Sequence, residues 1–253
     1  MSTVFWRQMG VLGLTLLAGA PVLAAGNSLT LASTDWCPYV CSADAQRPGI
    51  VTEYLTELLA RQGVALKVEH YPWSRAVYLA SRGSVDGLLT AAPGEAPGML
   101  FAQQPTWTYQ VCFFTRTDSP WLFHDTASLR GRSLAYMQGY AYGPALDRYL
   151  SDPANAAGMR PISGNQVTDR LIAMLRAGRV DSIVEDRLVM GWSLRGQPPL
   201  REAGCMAPQP FYLALTPGHA ANARLLVQLE SALADPQNQA RLSELAGQYL
   251  QSP

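Results

Sequence analysis

A chain of 253 residues with 19 basic and 19 acidic side chains carries no net charge at pH 7. That balance leaves no basic footprint for nucleic acid and no polybasic patch for a membrane surface. The length is enough for two small lobes, each with its own core.

The first element lies outside the fold. A short polar start carrying Arg7 precedes an apolar run from Met9 to Ala24, with Val22 and Ala24 spaced as the small residues of a cleavage site. This is the layout of a signal peptide, residues 1–24, cleaved after about Ala24, and the run is short for a permanent span. No Cys follows it to take a lipid, and nothing later approaches the length of a spanning segment, so the mature chain is expected to be exported without stable membrane insertion. In an exported chain, Cys37, Cys41, Cys112 and Cys205 read first as disulfides, with three connectivities open. The spacing of Cys37 and Cys41 does not suit a redox pair. His70, His124 and His219 are too scattered for a zinc site, so neither metal nor cofactor is expected.

Leu29 to Ser33 reads as a strand. Ile50, Val51, Tyr54, Leu55, Leu58 and Leu59 then form one helical face, stopped by Gly63. Val64 to Glu69 is a strand, Arg75 to Arg82 a helix capped by Ser74 and ended by Gly83, and Val85 to Ala91 the next strand. The pattern recurs: strand Ser133 to Met137, loop Gly139 to Gly143, helix Pro144 to Leu150, amphipathic helix Asn165 to Ala177 and strand Val180 to Asp186. Gly83, Val85 and Asp86 match Gly178, Val180 and Asp181 at a constant offset of 95 residues, which points to two similar α/β lobes. Pro210 to Leu215 looks like a crossing strand, followed by two closing helices around Ala221 to Leu233 and Asn238 to Tyr249 that are expected on the first lobe.

With these residues in place the chain resembles the type II (family 3) extracellular solute-binding proteins. The resemblance runs over essentially the whole mature chain. It rests on Leu29 to Tyr39 leading into Gly49 and Ile50, on the Gly83 to Gly87 turn, and on Gly178 to Asp186. It implies two lobes, each a mainly parallel sheet flanked by helices, joined by a two-strand hinge: residues 27–110 and 208–253 form lobe one, and 113–205 lobe two. It implies a periplasmic monomer that binds a small-molecule ligand without chemistry and serves an ABC permease or a sensor protein. It also places Asp186 at a ligand-facing position and runs the two crossing strands side by side, which selects the pairs Cys37–Cys41 and Cys112–Cys205. One departure stands out. Amino-acid binders of this family follow the lobe-one strand with an Arg that clamps the α-carboxylate, but here Thr90 leads into Ala-Ala-Pro-Gly-Glu-Ala-Pro and no Arg occurs before Arg116.

Ligands of open α/β sheets sit beyond the C-terminal strand ends. The loops there offer Asp35, Trp36 and Tyr39, then Trp73 and Arg75, then Thr90. The second lobe offers Tyr140 and Tyr142, in a loop whose amides favour an anion, and Glu185 and Asp186 at a strand end. Aromatic rings beside carboxylates suit a ligand with a cationic or ring part. The alternatives are Arg75 as a substitute carboxylate clamp for an amino acid, or a dehydratase-like enzyme on the same fold; no nucleophile elbow or P-loop is present.

Overall fold

The computed structural model describes residues 27–43, 46–218 and 220–251. The expected signal peptide and its cleavage site lie outside these residues. Lobe one opens with β1 (Asn27–Ser33), α1 (Ile50–Arg61), β2 (Val64–His70), α2 (Trp73–Ser81) and β3 (Gly87–Ala91), followed by the short strands β4 (Leu100–Phe101) and β5 (Trp107–Tyr109). The chain then enters a second sheet with β6 (Val111–Thr115), β7 (Leu134–Met137), α3 (Pro144–Ser151), β8 (Met159–Ile162), α4 (Val167–Arg176), β9 (Ser182–Asp186), α5 (Arg187–Ser193) and β10 (Arg201–Cys205). It returns through β11 (Gln209–Leu215) and ends in α6 (Ala220–Ala234) and α7 (Pro236–Gln251).

The two sheets run β2-β1-β3-β11-β4, with β5 also on β11, and β10-β6-β9-β7-β8. Each has the expected parallel core, β2-β1-β3 and β9-β7-β8. The strands that carry the chain between lobes add antiparallel pairs, so both sheets are mixed rather than mainly parallel. The cause is topological: a chain that crosses and comes back must return in the opposite direction. α6 and α7 pack on α1 and β11, as the uncovered face of the first half required. The apolar face of α1 is buried from Ile50 to Leu59, each such side chain contributing roughly 1.5–3 kcal/mol.

The offset of 95 residues is a real structural repeat. Gly83 and Gly178 both take a left-handed conformation, φ 69° and 67°, open to Gly without cost. The next amide reaches back to the helix in each lobe, Ser84 N–H to Leu79 O and Arg179 N–H to Met174 O. The following aspartates do one job twice. Asp86 accepts from the Thr30 amide of β1 at 2.7 Å, and Asp181 accepts from the Ser133 amide before β7 at 2.8 Å. Ser74, expected as the cap of α2, lies inside its first turn. Pro72 holds the cap position, and its carbonyl accepts from Arg75 and Ala76. A proline there loses no bond, since it has no N–H to leave unpaired.

The crossing is two adjacent ribbons. β5 pairs antiparallel with β11 in the first sheet, and β6 with β10 in the second. Gln110 lies between β5 and β6, and its side chain donates to Met206 O at 3.0 Å. Both disulfides, Cys37–Cys41 and Cys112–Cys205, are formed. Cys112 faces Cys205 in register within the second sheet, with Cα atoms 4.0 Å apart, so this bridge sits just past the crossing rather than on it. At another junction Arg195 of lobe two donates to Tyr249 O at the end of α7 and stacks 3.9 Å over Trp192. Replacing Cys112 and Cys205 together by Ser opens a loop spanning 93 residues, so unfolding in urea should show a stability loss of about 2–5 kcal/mol. An unchanged midpoint would mean the bridge constrains nothing.

Candidate functional site

Four loops at C-terminal strand ends meet between the lobes. After β1 the chain makes a tight loop in which Trp36 and Val40 exchange backbone hydrogen bonds at 2.7 and 3.1 Å. Asp35 holds the same loop from outside by accepting from Ser42 N–H at 2.9 Å. Behind it, the first amides of α1 are satisfied by the loop itself, Ile50 by Pro38 O and Val51 by Tyr39 O. Only Gly fits at 49, where φ is 109° and a Cβ would stand 2.4 Å from Tyr39 O. This clamp fixes the Trp36 ring against Tyr39, Tyr109 and Phe211.

The space enclosed is small, about 30 Å³, and is lined by Trp36, Trp73, Thr90, Glu95, Tyr109, Tyr140, Phe211 and neighbouring backbone. By the measure of roughly 10–15 Å³ for one water, it holds two or three. The lobes are closed on each other. Glu95, in the loop after β3, accepts from its own Ala92 N–H and from Ala141 N–H across the cleft, both at 2.8 Å. Tyr109 donates to Ala141 O at 2.7 Å, so one lobe-two residue is gripped by both its backbone N–H and its carbonyl. The anion that the Gly139 to Gly143 loop was expected to attract is thus the protein's own carboxylate.

Three buried polar groups on this lining lack a hydrogen-bond partner: Trp36 Nε1, Trp73 Nε1 and Tyr140 Oη. The Trp73 indole lies close enough to Glu95, and the Trp36 indole to Glu185, to favour the ionised acids, without reaching bonding geometry. Burial pushes the Glu95 carboxyl up to about 7, and the nearby Asp147 adds to the rise. Burial does the same to Glu185, also up to about 7.

Of the residues singled out in the sequence, Trp36, Trp73, Thr90 and Tyr140 come together on the cleft. The others stand elsewhere. Asp35 is exposed and braces its own loop. Arg75 is exposed over the Tyr71 ring at 5.4 Å and lines a separate crevice with Gln138 and Gly164, so it clamps nothing in the cleft. Tyr39 is fully buried behind Trp36 and donates to Asp186 at 3.2 Å. Tyr142 turns into lobe two, where its hydroxyl accepts from Met137 N–H at 2.8 Å. Glu185 accepts from Thr168 Oγ1 and from the Asp186 amide, both at 2.8 Å. Asp186 is saturated: it accepts from Tyr39 Oη, from the Gln110 amide, and from Leu188 and Val189 N–H as the N-cap of α5. Glu95, Tyr109 and Phe211 were not anticipated. Glu95 sits in the very stretch after Thr90 that was noted for lacking Arg, and a lone carboxylate there was the available signal.

No protein-family model and no curated protein sequence matches this chain. Solved structures do. A mutant of ArgBP from T. maritima is 17% identical, aligns over 89% of this chain and 96% of its own, and superposes with a TM-score of 0.71. A histidine kinase sensor domain with similarity to periplasmic binding proteins is 19% identical over 90% of this chain and 96% of its own, with a TM-score of 0.73. The ancestral amino acid-binding protein AncCDT-1, a precursor of cyclohexadienyl dehydratase, is 16% identical over 89% and 96%, with a TM-score of 0.68. This chain has the two-lobed periplasmic-binding-protein fold. In such a fold, closure brings together groups that are solvated when the lobes are apart, and Glu95 is the group most affected.

Two outcomes are expected. An open cleft returns Glu95 to the ordinary carboxylate range near 4.5, whereas the closed one holds its proton up to about 7. Closing therefore takes up a proton, and the raised Glu185 acts in the same direction. The closed fraction of ligand-free protein, read by small-angle scattering, should fall as the medium goes from about pH 5 to about pH 8; a rise would contradict the assignment. Asp186→Ala strands Tyr39 Oη and the Gln110 amide and uncaps α5, so it should cost stability by about 2–4 kcal/mol in urea unfolding. A stability change within error would show that its four bonds are replaceable.

Proposed function

We propose that this protein is an exported solute-binding protein that captures a small polar ligand between its lobes and performs no chemistry on it. The single observation that carries the reading is the set of unpartnered buried donors on Trp36, Trp73 and Tyr140 at the lobe junction. A stability-driven core would have paired or eliminated them, since each such group costs on the order of 1–3 kcal/mol. We place the ligand between lobe one (27–110 and 208–253) and lobe two (113–205), with the crossings as hinge, and take the loaded form to be read by an ABC permease or a sensor. The solved structures of the same fold support both uses, since they include arginine-binding proteins and a kinase sensor domain.

A second reading draws on Glu95. A carboxyl near 7 in a cleft is poised as a general acid, and AncCDT-1 stands before a dehydratase. Native mass spectrometry of protein purified without refolding tests both. The binding reading expects one small molecule retained unchanged, with about 2.7 kcal/mol of stabilisation at a hundredfold excess over its Kd. Conversion of that molecule on incubation would select the enzyme. A protein that retains and is stabilised by nothing would dismiss both.

A further inference from the structure

We propose that the cleft takes a small alkylated ammonium ion that carries a neutral oxygen and no carboxylate, with Glu95 as its counter-ion and Trp36, Trp73 and Tyr140 as its walls. This deepens the solute-binding reading and rests on it.

The first argument is charge. Glu95 is the one ionisable carboxyl on the lining, and no Arg, Lys or His joins it there. The groups facing Glu95 from the packed elements are Asp147 of α3, Tyr109 of β5, and Tyr140 and Tyr142 of the loop before α3. Each is acidic or neutral. A cleft of this make-up holds a negative potential that only a cation relieves.

The second argument is that both routes to a ligand carboxylate are closed. A guanidinium clamp is missing, since Arg75 lies outside on Tyr71. The loop amides are taken as well: Ala141 N–H by Glu95 and Tyr142 N–H by Asp147, each at 2.8 Å. An amino acid entering here would bring a carboxylate with no guanidinium or ammonium to balance its charge, only the neutral indole and phenol donors of Trp36, Trp73 and Tyr140.

The third argument concerns the walls. Trp73 and Trp36 stand with ring centroids 5.9 and 6.3 Å from Tyr140, both nearly edge-on to it. Aromatic faces hold a cation by their quadrupole and need no hydrogen bond from it. A primary ammonium would need three acceptors, and the Glu95 oxygens already receive two amides. A fully alkylated ammonium needs none. The unpartnered Trp36 Nε1, Trp73 Nε1 and Tyr140 Oη then call for an acceptor, which a ligand hydroxyl or ether oxygen supplies.

Size sets the order of events. The closed space admits no such ion, so it enters while the lobes are parted, with Trp36, Trp73 and Glu95 on one lobe and Tyr140 on the other. Below about pH 7 Glu95 keeps a proton in the empty closed form. The arriving cation takes the place of that proton.

Calorimetry on the mature protein at about pH 8 tests this with choline, tetramethylammonium, the uncharged choline isostere dimethylbutanol, arginine and glutamate. Choline should bind, dimethylbutanol at least about tenfold more weakly, and the two amino acids not measurably. Choline affinity should fall by about tenfold for each pH unit below 7 as the proton competes, and Glu95→Gln should remove that pH dependence. Should Glu95→Gln fail to fold, Trp73→Leu carries the test through loss of choline affinity in protein that still unfolds cooperatively, titrated well below its lowered melting temperature. Equal binding of choline and dimethylbutanol, preference for arginine or glutamate, or silence from both ammonium probes would overturn the proposal. Tetramethylammonium binding as tightly as choline would remove the oxygen from it. If another solute from a broad metabolite panel closes the cleft, the ligand class is wrong and the binding reading stands. If none does, both fall.

Discussion

The Asp186 carboxylate receives a lobe-one phenol, the amide at the chain crossing and the first two free amides of α5. Loop, hinge and second lobe therefore converge on two oxygen atoms. Among the described residues no cation bonds to them, and Arg187 acts on the acid only through its charge. Burial pushes the acid upward from its usual range, and the four donors pull against that rise. Because the Tyr39 hydroxyl reaches Asp186 from the disulfide-closed loop, the Trp36 ring that walls the cleft takes its position from the same point.

The second consequence of the closed arrangement is an interior rich in acid. Glu95, Glu185 and Asp186 lie within or just behind the cleft, and among the described residues the charged pairs are made elsewhere, those of Arg187 with Glu202 and Arg241 with Glu57 among them. Exposed pairs of that kind steady the surface by little. The interior instead relies on amide and hydroxyl donors, which favour the ionised carboxyl, set against burial, which favours the protonated one. In Glu95 the two come close to balance near neutral pH.

Much of the fold was legible because the parallel units announce themselves twice. The face from Ile50 to Leu59, the turns at Gly83 and Gly178 and the tying aspartates follow from local periodicity and turn chemistry. The strands β4, β5, β8 and β10 are short and carry no alternation, and β10 is further broken by a register shift at Gly204. They exist because a neighbour offers an edge, which no local pattern reports. The site was legible by half. Trp36, Trp73, Thr90 and Tyr140 fall at strand ends, where topology alone places a ligand. Asp186 could equally be read as an N-cap, since an Asp before Arg-Leu-Val suits a helix start, and the structure gives it that place at α5. Glu95 carries only a weak local signal, a lone carboxylate in the segment after Thr90 where the resembled family carries a guanidinium. Its partner, the Ala141 amide, lies 46 residues away in the other lobe.

The Cys112–Cys205 bridge lies one rung inside the second sheet, with Gln110 and Met206 just beyond it. A covalent rung cannot fray, so the paired strands on its lobe-two side turn as a single plate. Val111, Gln110 and Met206 are also tied to lobe two, so backbone rotation during opening is left to the link from Tyr109 to Gln110 on one strand and to 207–208 on the other. The bridge therefore acts as a stop that locates the pivot. A chain folded where thiols stay reduced would keep its sheets but lose the fixed axis, and its lobes would meet at more than one angle.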